Sequence, residues 1–254
     1  MKRVTAIIPA RYSSTRFPGK PLAPLLGRPM IQHVYERVAA AQLIDQVIVA
    51  TDDRRIFETV DGFGGEAVMT RHDHPTGTDR LAEVAAALDA ELIVNVQGDE
   101  PMIQPQMIDQ AVQPLLASPA IQMGTLASRL TRVADFLSPH VVKVVRDLDG
   151  FALYFSRAPI PWPRDVSEDG LAVRLPQLEL WRHIGLYVYR RSVLLDYPAW
   201  PATPLEKLEC LEQLRALERG IRLYVAETHW DSHGVDTRAD LARVEFLLQQ
   251  EKNP

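Results

Sequence analysis

The chain has 254 residues, 46% apolar and 24% charged, enough to enclose a substantial core, and a formal net charge of −5. Its single cysteine, Cys210, excludes an intrachain disulfide, fits a reducing compartment and offers no zinc site; it reads as a small apolar residue on a helix. No apolar run approaches the ~18 residues that span a bilayer and the opening one is too short for a signal peptide, so the cytoplasm is the expected compartment, while the acidic total argues against a broad nucleic-acid footprint.

The start of the chain runs against that acidic total. The first 35 residues carry six basic side chains, Lys2, Arg3, Arg11, Arg16, Lys20 and Arg28, and no acid. Val4–Pro9 reads as a buried strand that feeds Ala10-Arg-Tyr-Ser-Ser-Thr-Arg-Phe-Pro-Gly-Lys20, a positive loop punctuated by Gly and Pro. Arg11, Arg16 and Lys20, with Ser13, Ser14, Thr15 and Gly19 between them, supply cations, hydroxyls and main-chain donors suited to a triphosphate. A solvated basic loop is the plainer alternative. The loop is neither a Walker motif nor G-x-G-x-x-G.

Helical periodicity then marks Pro29–Ala41, Asp53–Phe63 and Thr78–Ala90, and β-branched runs mark strands at Gln46–Thr51, Glu66–Met69 and Glu91–Gln97. This βαβ order predicts a mostly parallel sheet with helices on both faces and ligands at the carboxyl ends of its strands. In the polar loop Arg71–Arg80, Thr76, Thr78 and the free amides of the following helix suit a base edge or a carboxylate, whereas His72 and His74 lack a third metal ligand. Asn95-Val-Gln-Gly-Asp99-Glu-Pro101 closes the most apolar strand. There Asp99 is placed to meet a divalent cation on nucleotide phosphates, or sits in an ordinary turn.

The second half turns to paired strands. Val141–Val145 and Phe151–Phe155 flank the hairpin dipeptide Asp149-Gly150, and Gly185–Tyr189 and Arg222–Ala226 add strands, making a smaller mixed β region. Between them Ala158–Leu178 is Pro-rich and predicts an extended excursion, a lid or an oligomer arm. Thr203-Pro-Leu-Glu206 opens a helix that runs to just before Gly220. In Gly234-Val-Asp236, Asp236 is either a partner carboxylate for Asp99 or the N-cap of the last helix. Alone, Arg157 reads as one half of a surface ion pair and Glu212 as a solvated helix residue.

Taken in order, Ile8-Pro-Ala-Arg-Tyr12, Phe17-Pro-Gly-Lys-Pro-Leu22, Val49-Ala-Thr-Asp52, Gly77-Thr-Asp-Arg-Leu81, Asn95–Met102, Ala152–Arg157, Arg182-His-Ile-Gly185, Leu211–Arg215 and Gly234-Val-Asp-Thr237 closely resemble the 3-deoxy-manno-octulosonate (Kdo) cytidylyltransferase family. The resemblance implies a Rossmann-like nucleotide-diphospho-sugar transferase fold forming one domain, with a nucleotide-binding half over about residues 1–115 and a sugar-binding, dimer-forming half over about 116–254. It implies that CTP and Kdo give CMP-Kdo and pyrophosphate for lipopolysaccharide assembly, with Mg2+, in a homodimer. CTP would meet Ala10, Arg11, Arg16, Lys20, Thr76, Gly77 and Asp99. Asp99 and Asp236 would hold the metal, and with Arg11 and Lys20 would form the catalytic group. The sugar would meet Gln97, Arg157, His183, Tyr187 and Glu212, with Arg80 and Arg164 nearby. An 8-amino-Kdo or sialic-acid-type enzyme, or a nucleotide-binding regulator without turnover, would carry many of the same residues.

Overall fold

The computed structural model describes residues 4–13, 16–166 and 170–252; Lys2, Arg3, Ser14 and Thr15 lie outside the described residues. The strands are β1 Val4–Ala10, β2 Pro24–Leu25, β3 Arg28–Pro29, β4 Gln46–Thr51, β5 Ala67–Met69, β6 Leu92–Asn95, β7 Met123–Arg129, β8 Lys143–Arg146, β9 Ala152–Ser156, β10 Trp181–Arg190 and β11 Leu223–Thr228. The helices are α1 Met30–Ala39, α2 Arg54–Gly62, α3 Gly77–Ala86, α4 Pro105–Ala117, α5 Val133–Leu137, α6 Leu171–Arg174, α7 Arg191–Asp196, α8 Pro204–Glu209, α9 Gln213–Glu218 and α10 Arg238–Lys252. Local chemistry sets several starts. The Asp53 side chain caps α2 by accepting from the Arg55 amide, and Thr76 and Asp79 form a capping box that opens α3.

The main sheet runs β11-β7-β10-β6-β1-β4-β5, with β8 joined to β10 and β9 to β8; β2 and β3 make a separate ribbon. Strands β6, β1, β4 and β5 are parallel, as are β7 and β11, whereas β10 is antiparallel to its neighbours. From β1 the chain adds β4 and β5 on one side and then returns to place β6 on the other. The crevice past the carboxyl ends of β1 and β6 is therefore a topological switch point, where an open α/β sheet binds its ligands.

Alternation along β1 divides the core. Ala6 and Ile8 face Ile31 and Val34 of α1 and Ile108 and Val112 of α4; Ile7 faces Leu81 and Ala85 of α3. Burying an aliphatic side chain this fully contributes about 1.5–3 kcal/mol, so both faces anchor the strand that ends at the crevice. A third cluster packs Phe17, Leu25 and Met30 against Met102, Val235 and Val244 and Leu248 of α10, and thereby brings the start of α10 beside the first loop.

Several expectations are corrected. The helix predicted over Thr203–Arg219 is two helices, α8 and α9, because Cys210 takes a left-handed conformation (φ 51°) that caps α8; Cys210 is exposed and off the helix. Helix α3 stops at Ala86 and not Ala90, and β10 extends from Trp181 across an irregularity between Ile184 and Tyr187. The described part of the Pro-rich excursion packs against α5. Leu171 and Leu175 are buried with Phe136 and Leu180, and Trp162 stacks on Phe136 at 6.1 Å between centroids.

Candidate active site

The loop after β1 is closed by its own backbone. The Gly19 amide donates to Tyr12 O at 2.8 Å, and Gly19, at φ 72°, lies so close to the Tyr12 ring that an added Cβ would sit 3.0 Å from it. The Arg55 guanidinium covers the Tyr12 ring 3.3 Å from its centroid. This fixes the turn that projects Lys20 inward with only 12% of its side chain exposed.

Lys20 Nζ contacts Asp99 Oδ2 at 2.6 Å and Asp236 Oδ1 at 3.4 Å, and an Arg16 guanidinium nitrogen lies 3.2 Å from Asp236 Oδ2. Segments more than two hundred residues apart in sequence thus converge on one ammonium. Asp99 comes from the turn after β6, where Gly98 is required sterically: a Cβ there would lie 2.8 Å from Pro9 O, pushing the exits of β1 and β6 apart. Asp236 is not the cap of α10. Thr237 is, accepting from the Asp240 amide at 3.2 Å while Asp240 Oδ2 accepts from the Thr237 amide at 2.8 Å, which leaves the Asp236 carboxylate to face Lys20.

Lys20 and Asp99 border a cavity of about 230 Å³ that Pro9, Ala10, Arg11, Ser13, Gly77 and Gln97 also line. One Arg11 guanidinium nitrogen donates to both His74 O and Thr76 O at 2.8 Å, clamping the third loop to the end of β1. The Thr76 hydroxyl caps α3 and donates to Asp79 Oδ2 at 2.7 Å, with Glu212 Oε1 3.1 Å away. His74 pairs with Glu83. Among the described residues no cluster of three or more His, Cys, Asp or Glu side chains is placed to hold a metal, so any cation between Asp99 and Asp236 has two carboxylates and takes its remaining ligands from substrate oxygens and water. That donor set fits magnesium, a hard cation that commonly combines one or two carboxylates with phosphates.

Gly77 and Gln97 also line a smaller cavity of about 80 Å³, with Tyr187, Tyr189, Tyr197 and Glu212 on its walls. Burial raises the Glu212 carboxyl above the ordinary range, against hydroxyl hydrogen bonds from Thr78 and Thr76 that favour the anion. Burial likewise holds the Tyr187, Tyr189 and Tyr197 phenols well above their usual value, so all three stay neutral. The result is a pocket of neutral hydroxyls and amides beside one carboxyl, suited to the hydroxyls of a sugar.

Three residues expected at the sugar are engaged elsewhere. The Arg157 guanidinium donates to the backbone carbonyls of Glu209 (2.7 Å), Pro139 (3.0 Å) and Cys210 (3.3 Å), so it ties segments together and does not line this cavity. Arg80 is fully buried, paired with Asp52 at 3.2 Å and bonded to the Thr70 hydroxyl at 2.5 Å. His183 meets the Thr125 hydroxyl at 2.9 Å and packs edge-on to Phe155, next to Tyr187; burial pushes its ring down to about 3, so it is no cation. Arg164 is exposed on the excursion. Sequence reasoning passed over Asn95, Tyr189 and Tyr197 on the cavity wall, and read Gln213 only as a polar group beside Glu212. The period-two rule finds the first two, because Asn95 and Tyr189 share faces with Gln97 and Tyr187. Buried Gln213 Nε2 has no hydrogen-bond partner among the described residues and is a donor available to a ligand.

A cytidylyltransferase family model matches residues 5–223. A 3-deoxy-manno-octulosonate cytidylyltransferase from Syntrophotalea carbinolica is 62% identical over 246 residues, covering 97% of this chain and 98% of the relative. The chain belongs to the 3-deoxy-manno-octulosonate cytidylyltransferase family. A second member, from Geobacter sulfurreducens, is 58% identical over 95% of this chain and 97% of its own length. The solved CMP:2-keto-3-deoxy-manno-octonic acid synthetase, complexed with CTP, superposes with a TM-score of 0.91 at 43% identity, covering 98% of this chain and 99% of that one. A 4-diphosphocytidyl-2C-methyl-D-erythritol synthase from Anaerococcus prevotii, at TM-score 0.64 and 15% identity, shares the fold.

Proposed function

We propose that this chain transfers the cytidylyl group of CTP to the anomeric hydroxyl of Kdo, giving CMP-Kdo and pyrophosphate for lipopolysaccharide synthesis. One observation carries the reading: Lys20, Asp99 and Asp236 meet at the β1/β6 switch point, in a family whose solved member of TM-score 0.91 is complexed with CTP. In the reaction the sugar hydroxyl oxygen bonds to the α-phosphorus as the bond to pyrophosphate breaks, and the hydroxyl proton passes to solvent. No covalent protein intermediate is needed, so catalysis rests on alignment and on neutralising phosphate charge.

In this reading Lys20 and Arg11, both on the wall of the larger cavity, hold the triphosphate, with Arg16 nearby, while Gly77 and Gln97, common to both cavities, mark where the reacting atoms meet. Asp99 and Asp236 would hold magnesium, which when bound polarises the α-phosphate. Glu212, Gln213 and the three tyrosines orient the sugar. We further place the enzyme in the cytoplasm as a homodimer. Support for the dimer comes from β9, which among the described residues pairs only with β8 and exposes Leu153, and from half-exposed Trp162 on the excursion. The test is pyrophosphate release from CTP and magnesium with a panel of acidic ketoses. Turnover highest with Kdo supports the assignment; higher turnover with the 8-amino sugar, or tight CTP binding without turnover on any of them, overturns it.

A further inference from the structure

Asp236 sits at the end of a stretch, residues 229–237, that has no regular structure between β11 and α10. A carboxylate on such a stretch can be placed against Asp99 only if something other than a helix or strand fixes it, and three ties do so. At the rim, an Arg182 guanidinium nitrogen holds Asp231 Oδ1 at 2.6 Å. Deeper, the Ser232 hydroxyl donates to Glu100. Next to Asp236 itself, the Val235 amide donates to Asp99 O at 2.8 Å, and Val235 is fully buried. Gly234 lies between these ties, where an added Cβ would stand 3.0 Å from Glu100 Oε1 and 3.7 Å from Asp99 O. The backbone therefore lies directly on the Asp99-Glu100 turn.

Glu100 belongs to the same turn as Asp99, and its own amide donates to Gln97 O at 3.2 Å. Among the described contacts Lys20 engages Asp99 and Asp236 and not Glu100, whose carboxylate is directed to Ser232. We propose that Glu100 is a positioning residue: through Ser232 it holds the 229–237 stretch so that Asp236 and Asp99 face one divalent cation. The proposal rests on the assignment of magnesium to those two aspartates. Outer contacts of this kind orient metal ligands, and their loss typically costs about 10–100-fold in metal affinity.

The test measures Mn2+ binding by electron paramagnetic resonance in the presence of CTP, alongside the magnesium midpoint of pyrophosphate release. Ser232→Ala and Glu100→Ala are expected to weaken Mn2+ binding about tenfold while CTP affinity in metal-free buffer stays at the parent value. Ser232→Thr, which keeps the hydroxyl, restores binding, and Glu100→Gln, which keeps an acceptor for it, stays near the parent. If Glu100→Ala unfolds at low temperature, the loop variant Ser232→Ala decides alone. Parental Mn2+ affinity in Ser232→Ala with weakened binding in Asp236→Asn rejects the positioning role and leaves the metal assignment standing. Parental affinity in Asp236→Asn removes the metal assignment and this proposal with it. Glu100→Gln as damaged as Asp236→Asn makes Glu100 a direct ligand and overturns the proposal.

Discussion

Replacing Lys20 by Met keeps the unbranched apolar stem of the side chain and removes the ammonium group, its charge and its contacts to both aspartates. In the folded protein this leaves Asp99 and Asp236, whose side chains are 34% and 51% exposed, facing one another without the ammonium that contacts both. Leaving a fully buried charge unpaired costs about 3–5 kcal/mol, but solvent reaches both carboxylates here, so the expected loss of stability is about 1 kcal/mol. The catalytic loss is larger. A fixed charge aimed at the departing pyrophosphate acts where charge develops, and removing such a donor typically lowers kcat by about 10²–10³-fold, or roughly 3–4 kcal/mol. The two quantities separate the roles of the residue. Steady-state pyrophosphate release and urea unfolding on Lys20→Met are therefore expected to show kcat down at least about a hundredfold with stability nearly intact. A kcat within about threefold of the parent would refute the reasoning, because so small a change, under 1 kcal/mol, is far below what a group at the reacting phosphates supplies.

Gly98→Ala forces a Cβ toward Pro9 O, 2.8 Å away, so the crevice must open; KM for CTP is expected to rise about tenfold or more, and an unchanged KM would show that the crevice does not bind the nucleotide. Arg157→Met removes donors to three backbone carbonyls and is expected to lower stability by about 2 kcal/mol in urea unfolding with KM for the sugar unchanged, whereas a selective rise in that KM would return Arg157 to the sugar site. His183 is held neutral in the folded chain down to about pH 3, whereas an unfolded histidine takes up a proton near 6.5. The unfolded state thus binds the extra proton, and this contribution to stability is complete above pH 6.5 and is lost as pH falls toward 3, at up to about 1.4 kcal/mol per pH unit. His183→Gln should flatten the slope of urea stability between pH 6 and 4; an unaltered slope would mean the ring is protonated in the fold.

The chain's first hundred residues announce their architecture because strands and helices there are locally consistent: a β-branched run, then an amphipathic helix, capped by Asp53 at α2 and by Thr76 at α3. Helix α4 and strand β7 are quieter. Pro114 interrupts the helical pattern, and Met123-Gly-Thr-Leu-Ala-Ser-Arg129 has little β-branched character; Gly124 lies where the helix crosses the strand, so that an added Cβ would meet the tip of the Leu115 side chain at 2.6 Å. The acidic and basic residues of the larger cavity were legible because their motifs lie at strand exits. The arginines expected near the sugar were not, since a guanidinium is defined by its partners, and those of Arg80 and Arg157 come from other segments, Asp52 and Thr70 in one case and the backbone at Pro139, Glu209 and Cys210 in the other. The two readings of Asp236 could not be separated without knowing that Thr237 and Asp240 complete a capping box by themselves.

In the proposed reading Lys20, Asp99 and Asp236 surround one metal-bound triphosphate. The most direct measurement is the anomalous difference density of a crystal soaked with CTP and Mn2+. A manganese peak is expected between the Asp99 and Asp236 carboxylates, bonded to phosphate oxygen, with Lys20 turned onto the triphosphate. A manganese–triphosphate complex seated away from both aspartates, with Lys20 still holding them, would contradict that reading.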